Sequence, residues 1–138
     1  MSRLEQNEQN KGLIRNLMAA SDAGDLEAVL AFYAADYIDR APSPARAEAA
    51  RTGLGPMFQI FYDAFPDTRH TIHDLIAEED RVVARISAEA THTGRLFGIE
   101  PTGRRVTLDA IAIYRIENGR IAERWSYSGR GILEQLQD

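Results

Sequence analysis

The chain has 138 residues, a formal net charge of −5 and no cysteine. That length fits one domain spanning residues 1–138, able to bury roughly two thirds of its unfolded surface, so packing alone can hold it. The lack of thiols excludes disulfides, thiolate nucleophiles and cysteine-bound metals, and charges of both signs are interspersed without a basic stripe, so neither nucleic acid nor an anionic membrane is an expected partner. No window approaches the ~18 apolar residues that a membrane span requires, and residues 1–7 are polar, so a cytoplasmic protein is expected.

Taken in order, residues 1–8 read as a disordered tail. Leu13, Ile14, Leu17 and Met18 then recur at helical spacing, and Gly24 followed by Asp25 marks the end of one short helix and the cap of the next. The second helix carries Leu26, Val29, Leu30, Phe32 and Tyr33. A short strand over 37–39 precedes the Pro42 to Pro44 break, and 41–50 is the expected mobile rim. A third helix is predicted over 53–65, with Leu54, Met57, Phe58, Phe61, Tyr62 and Phe65 on an apolar face, and Pro66 stops it. From Asp67 the period becomes two, with a turn at Glu79-Asp80, strands over 81–92 and 104–116, a hairpin at Asn118-Gly119, a strand over 121–128 and a tail helix over 132–136. Helices followed by a strand meander predict an α+β class: a cone-shaped α+β barrel whose curved antiparallel sheet wraps three N-terminal helices.

Strand parity sorts the side chains. Over 81–92 the even positions Val82, Ala84, Ile86, Ala88, Ala90 and His92 face inward. His92, whose ordinary pKa near 6.5 suits proton transfer, is either a pocket group or a hydrogen-bonding partner of the adjoining loop. The next strand is apolar on both faces, because Ile111 and Ile113 oppose the even set Val106, Leu108, Ala110, Ala112, Tyr114 and Ile116. Such a strand is either covered twice, by the domain core and by a second subunit, or carries an isolated pair of exposed isoleucines; a homodimer is the expected assembly.

The hairpin leaves two registers open. A two-residue Asn118-Gly119 turn puts Ala112 opposite Trp125 and turns Ile121, Glu123, Trp125 and Tyr127 inward. A three-residue loop with a bulge at Gly119 puts Ala112 opposite Arg124 and turns Ala122, Arg124, Ser126 and Ser128 inward. His70 and His73, three apart on a strand, point to opposite faces and cannot chelate one metal. Phosphate loops, Ser-His-Asp order and zinc spacing are missing, so neither metal nor cofactor is expected.

Between two strands, the run from His92 to Val106 holds Gly94, Gly98, Pro101 and Gly103 and reads as a structured crossing loop. With Ala23-Gly24-Asp25-Leu26, Asp36-Tyr37-Ile38-Asp39 and the segment from Asn118 to Trp125, it resembles the SnoaL-like polyketide cyclases of the nuclear transport factor 2-like superfamily, over most of the chain. The resemblance favours the bulged hairpin, because cyclases of this branch place polar pocket residues at the positions of 112, 124 and 126. It also exposes departures. The aspartate acid/base of the aldol-type cyclases corresponds to Ser126 and its helper histidine to Ala112, and arginines stand at 40 and 124 where histidines are common. An arginine holds an oxyanion but is no base. The two aspartates and the tyrosine of ketosteroid isomerase would fall near Ala41, Ala112 and Leu17, which excludes that chemistry. Of the Asp-Arg-Asp set of limonene epoxide hydrolase, Asp39 and Arg124 are present, while Asp109 has the wrong parity.

What remains is a polar cluster of Asp39, His92, Tyr114, Arg124 and Ser126 against walls of Leu17, Phe32, Phe58, Phe61, Ile86 and Ala112, the pattern of a ligand pocket. The leading expectation is a cofactor-independent cyclase or isomerase acting on a hydrophobic, carbonyl-bearing small molecule, with His92 or Asp39 moving the proton and Arg124 stabilising the enolate or alkoxide. Against it stand a non-catalytic binding or dimerisation domain using the same cavity, and an epoxide hydrolase-like enzyme.

Overall fold

A computed structural model describes residues 1–41, 49 and 53–137. The chain opens directly into helix α1 (Arg3–Asp22). Ser2 starts it: its Oγ accepts the Glu5 backbone N–H at 3.1 Å, a Ser-x-x-Glu cap that supplies a partner to an otherwise orphaned donor. Residues 1–8 are therefore not a disordered tail. Their polar composition reflects a solvent-facing first third of a long helix, whose buried stripe is Asn10, Ile14, Leu17 and Met18. Asn10 fastens that stripe to the sheet by donating from Nδ2 to the Glu79 carbonyl at 3.3 Å.

Gly24, at φ 72°, takes the left-handed conformation that closes α1, and Asp25 Oδ1 caps α2 (Leu26–Ala31) by accepting the Ala28 N–H. The second helix is shorter than its apolar spacing predicts. Phe32 and Tyr33 leave it because the Ile121 N–H donates to the Phe32 carbonyl at 2.8 Å, drawing Tyr33 into strand β1 (Tyr33–Asp39). A long-range partner here outweighs local periodicity. Helix α3 (Leu54–Ala64) forms where expected, while most of the 41–50 rim lies outside the described residues.

Strands β2 (Arg69–Glu78), β3 (Arg81–Thr91), β4 (Arg105–Glu117) and β5 (Arg120–Ser128) form an antiparallel meander, and α4 (Ile132–Leu136) follows. The sheet order is β1-β5-β4-β3-β2, with β1 parallel to β5. The sheet is thus mixed rather than wholly antiparallel. Its inner face carries the even residues of β3 and β4, including Val82, Ala84, Ala112 and Tyr114, which pack with Ile14, Leu17 and Val29 of the helices into the main core.

The hairpin combines elements of both predicted registers. Glu117 pairs with Arg120, so Asn118 and Gly119, at φ 53° and 74°, make a two-residue turn. A register shift one step further in, between the Ile116–Ile121 and Arg115–Glu123 pairs, then inserts one extra residue on β5. Ile121 and Ala122 are consequently both buried, and Arg124 and Ser126 turn inward. Ala112 sits opposite Ser126, not Arg124, and Arg124 pairs with Tyr114.

The crossing loop between β3 and β4 is clamped beneath α3. Thr93 and Gly94 both donate their N–H groups to the Ala64 carbonyl, at 3.0 and 3.2 Å. The approach is so close that a Cβ on Gly94 would lie 1.9 Å from the Asp63 carbonyl oxygen. This glycine is present for clearance, and the loop it admits delivers Leu96 to a second apolar cluster with Ala64, Phe65, Ala90, Val106 and Leu136.

Candidate active site

Between the inner face of the sheet and the helices lies a cavity of about 440 Å³. Its walls are mainly apolar: Leu17 and Met18 from α1, Met57, Phe58 and Phe61 from α3, Ile86 and Ala88 from β3, and Phe97 from the crossing loop. Phe97 meets Phe61 edge-on at a centroid distance of 5.8 Å, so the loop closes one side of the hollow. A broader depression of about 930 Å³ lies outside, between α1, α2 and the strand turns, where Gln6, Gln9, Asn10 and Asn16 share the lining with Leu13, Phe32 and Ile116. It brings no ionic pair against an apolar wall.

One polar station of the cavity belongs to β1 and β5. The β5 bulge turns the Arg124 side chain inward, where its Nη1 donates to both oxygens of Asp39 at 3.3 and 3.4 Å. Asp39 Oδ1 also accepts the Ala41 N–H at 2.9 Å. Tyr114 lies beneath the guanidinium, 5.9 Å from its ring centroid, and Tyr33 packs edge-on to Tyr37 at 4.7 Å. Burial opposes the Arg124 charge, but the surrounding Tyr114, Tyr33 and Tyr37 oxygens and the Asp39 carboxylate outweigh it, so its pKa rises and it stays a cation. Burial, followed for Tyr37 by the Asp39 charge, raises the Tyr33 and Tyr37 phenol pKa values, keeping both groups as neutral donors. The bond to Asp39 occupies one of the guanidinium nitrogens, and the rest have no other acceptor among the described residues.

A second station belongs to β2. His70 lines the cavity, and its Nδ1 lies 2.6 Å from Oδ1 of Asp22 at the end of α1. The same carboxylate accepts the His70 backbone N–H with both oxygens, at 3.0 and 3.1 Å.

Several sequence expectations are corrected by this geometry. His92 does not line the cavity: it is fully buried in the second cluster, 5.4 Å from the Phe65 ring, and its Nδ1 accepts the Thr102 N–H at 3.1 Å. It latches the crossing loop, the loop-bonding role that the end of an inward strand also allows. Phe32 points to the outer depression rather than the cavity, because the chain leaves α2 before it. Ala112 is wholly buried in the core behind the lining. Asp39, Arg124, Leu17, Phe58, Phe61, Ile86, Tyr114 and Ser126 do line the cavity. Asp109, on the outward parity, is exposed and pairs with Ser87, so the third member of an Asp-Arg-Asp set is absent from that position.

Sequence reasoning missed Tyr33, Tyr37 and His70. Tyr33 was hidden by its helical spacing. The inward parity of His70 was legible, but nothing local signals Asp22, 48 residues away. His73, as predicted, faces the other side and is exposed, with Nε2 on the Ser87 hydroxyl. Among the described residues, no three His, Asp or Glu side chains converge in a way that could hold a metal ion, and no helix is long and apolar enough to cross a membrane.

The profile of the SnoaL-like polyketide cyclases matches residues 12–136, nearly the full chain. The chain belongs to this family. Solved structures agree with that membership. The protein is similar to AclR from Streptomyces galilaeus, provisionally assigned as a hydroxylase, at 28% identity over 95% of this chain and 82% of that one, TM-score 0.79. It is similar to IdmH from Streptomyces antibioticus, provisionally a polyketide cyclase, at 29% identity over 94% and 99% of the two chains, TM-score 0.74. TsrD from Streptomyces laurentii matches at 26% identity over 94% and 93%, TM-score 0.73. No curated protein matches in sequence. Within this SnoaL-like member, the cone of the family is kept while Ala112 and Ser126 replace the polar pair that the resemblance leads one to expect.

Proposed function

We propose that this SnoaL-like protein is a cofactor-independent cyclase-type enzyme that acts on a hydrophobic small molecule bearing a carbonyl group. The observation that supports the reading is a guanidinium in an apolar hollow: Arg124, held by long bonds to Asp39, has donors with no other acceptor among the described residues, and Tyr33 and Tyr114 line the same hollow. Such a station holds a charged oxygen of the substrate, and its energetic return is largest where water is excluded. Phe58, Phe61, Leu17 and Ile86 would grip the carbon skeleton, Ser126 would add a hydroxyl contact, and Asp39 would orient Arg124.

The test uses 2-naphthoate, an apolar bicycle with a carboxylate that mimics the charged oxygen, and uncharged 2-methylnaphthalene as its control. In calorimetric titration, Arg124→Met weakens 2-naphthoate by about 10- to 100-fold, the worth of a charge-assisted hydrogen bond, and leaves 2-methylnaphthalene within about threefold. Equal affinity of wild type and variant for 2-naphthoate refutes the reading.

A second reading, a binding module without chemistry, draws on Ala112 and Ser126, which offer no acid/base pair. Probe binding without any solvent exchange of carbonyl α-protons would favour it.

The outer sheet face fits a second copy of the chain. Ile76, Ile111 and Tyr127 are 63%, 49% and 72% exposed there, next to Ile113 and Trp125. Arg85 paired with Asp74, and Glu123 held between Arg40 and Arg115, edge this strip with both signs of charge, the arrangement a self-complementary contact needs. Light scattering should give a dimer mass for wild type and a monomer for the Ile111→Asp, Tyr127→Asp double variant; a monomeric wild type refutes the assembly.

A further inference from the structure

His70 is a titratable side chain held on one nitrogen by Asp22 and, among the described residues, without a partner on the other. Asp22, when ionised, can only accept hydrogen bonds, so the 2.6 Å contact requires the proton on His70 Nδ1. That choice leaves the Nε2 lone pair free. Nε2 has no hydrogen-bond partner among the described residues, and it is not among the sealed polar atoms of the interior, whereas Nε2 of His92 is. The imidazole is 17% exposed and lines the cavity. A carboxylate that fixes the tautomer and orientation of an imidazole, on a residue that lines a hollow, is the arrangement of a general base.

The position of the pair constrains the substrate. His70 pairs with Ala88, while the Arg124 row runs through Tyr114 to Val82 on the same strand β3. From 82 to 88 is six residues, about 20 Å along an extended strand before sheet curvature shortens it. Arg124 and His70 therefore serve different groups of one molecule.

Resting on the cyclase-type reading, we infer that His70, oriented by Asp22, is the proton-transferring residue, and that the substrate is an elongated carbonyl compound with oxygens at both ends. Nε2 removes a proton from a carbon next to a carbonyl. The C–H electron pair becomes the C=C bond of an enolate, and the carbonyl π pair moves to oxygen. The enolate carbon bonds to a second carbonyl carbon of the same molecule, whose oxygen recovers the proton from Nε2. Asp22 is the positioning residue, accepting the Nδ1–H throughout.

Two measurements test it. In long-range 1H–15N spectra, neutral His70 should be the Nδ1–H tautomer, opposite to His92, whose Nδ1 accepts the Thr102 N–H; Asp22→Asn should release the Nε2–H form. In D2O, wild type should accelerate deuterium uptake at the α-carbons of 2-tetralone. His70→Gln should lower that rate about 100-fold with the KM unchanged, the usual worth of a positioned base. Asp22→Asn, whose side-chain oxygen still accepts the His70 backbone N–H, should lower it by a smaller factor at an unchanged melting temperature, and His70→Asn serves should the glutamine variant misfold. An Nε2–H tautomer for wild-type His70, or exchange that survives both His70 substitutions, overturns this assignment and leaves the cyclase-type reading in place. Absence of exchange by wild type itself overturns both.

Discussion

Replacing Gly94 with alanine should be far more damaging than its single methyl suggests. An added Cβ would stand 1.9 Å from the Asp63 carbonyl oxygen and 2.7 Å from its carbon. Carbon and oxygen come together no closer than about 3.3 Å, so the loop and the end of α3 must part by more than an ångström. Both are backbone, and neither can swing aside as a flexible side chain would. Parting them breaks the bonds from the Thr93 and Gly94 N–H groups to Ala64, each worth about 1 kcal/mol. Displacing the Leu96 cluster adds a further ~1–3 kcal/mol of packing cost. The total, about 3–5 kcal/mol, is a large share of an ordinary domain's stability and corresponds to a melting temperature lower by about 10 °C or more. Gly98→Ala is the control, since its φ of 83° strains a side chain but nothing lies within 4 Å of the added carbon; it should cost only about 1–2 kcal/mol. Urea denaturation of wild type and both variants measures the difference. A Gly94→Ala variant no less stable than Gly98→Ala would refute the steric argument.

Two further outcomes are expected. His92→Ala should lower stability by about 3 kcal/mol in urea denaturation, by orphaning the Thr102 N–H and opening space beside Phe65, yet leave the 2-tetralone exchange rate unchanged while folded; an intact fold with lost exchange would restore His92 to the chemistry. The Thr91 N–H on Asp67, aided by Arg105, holds the Asp67 carboxyl below its ordinary pKa. A depressed folded pKa adds stability above the unfolded value near 3.9 and loses it as pH falls through the folded value. The stability gap between wild type and Asp67→Asn should therefore be constant at neutral pH and shrink only below about pH 4, and a gap that widens on acidification would contradict the assignment.

Local sequence pattern carries the order of elements and the inward parity of β3, because a strand's two-residue period is written locally and Val82, Ala84, Ile86 and Ala90 obey it. It also marked the walls from α3, Arg124 and Asp39, and the crossing loop, whose glycines and proline leave few conformations open. The start of α1 was legible too, in Ser2 and Glu5, although weak apolar patterning masked it. Long-range contacts settled which strand captured Tyr33, where the hairpin's extra residue fell, and that His92 latches a loop while His70 meets Asp22. Those outcomes depend on contacts between residues tens of positions apart, and no local pattern encodes the distance between two side chains that the fold alone brings together.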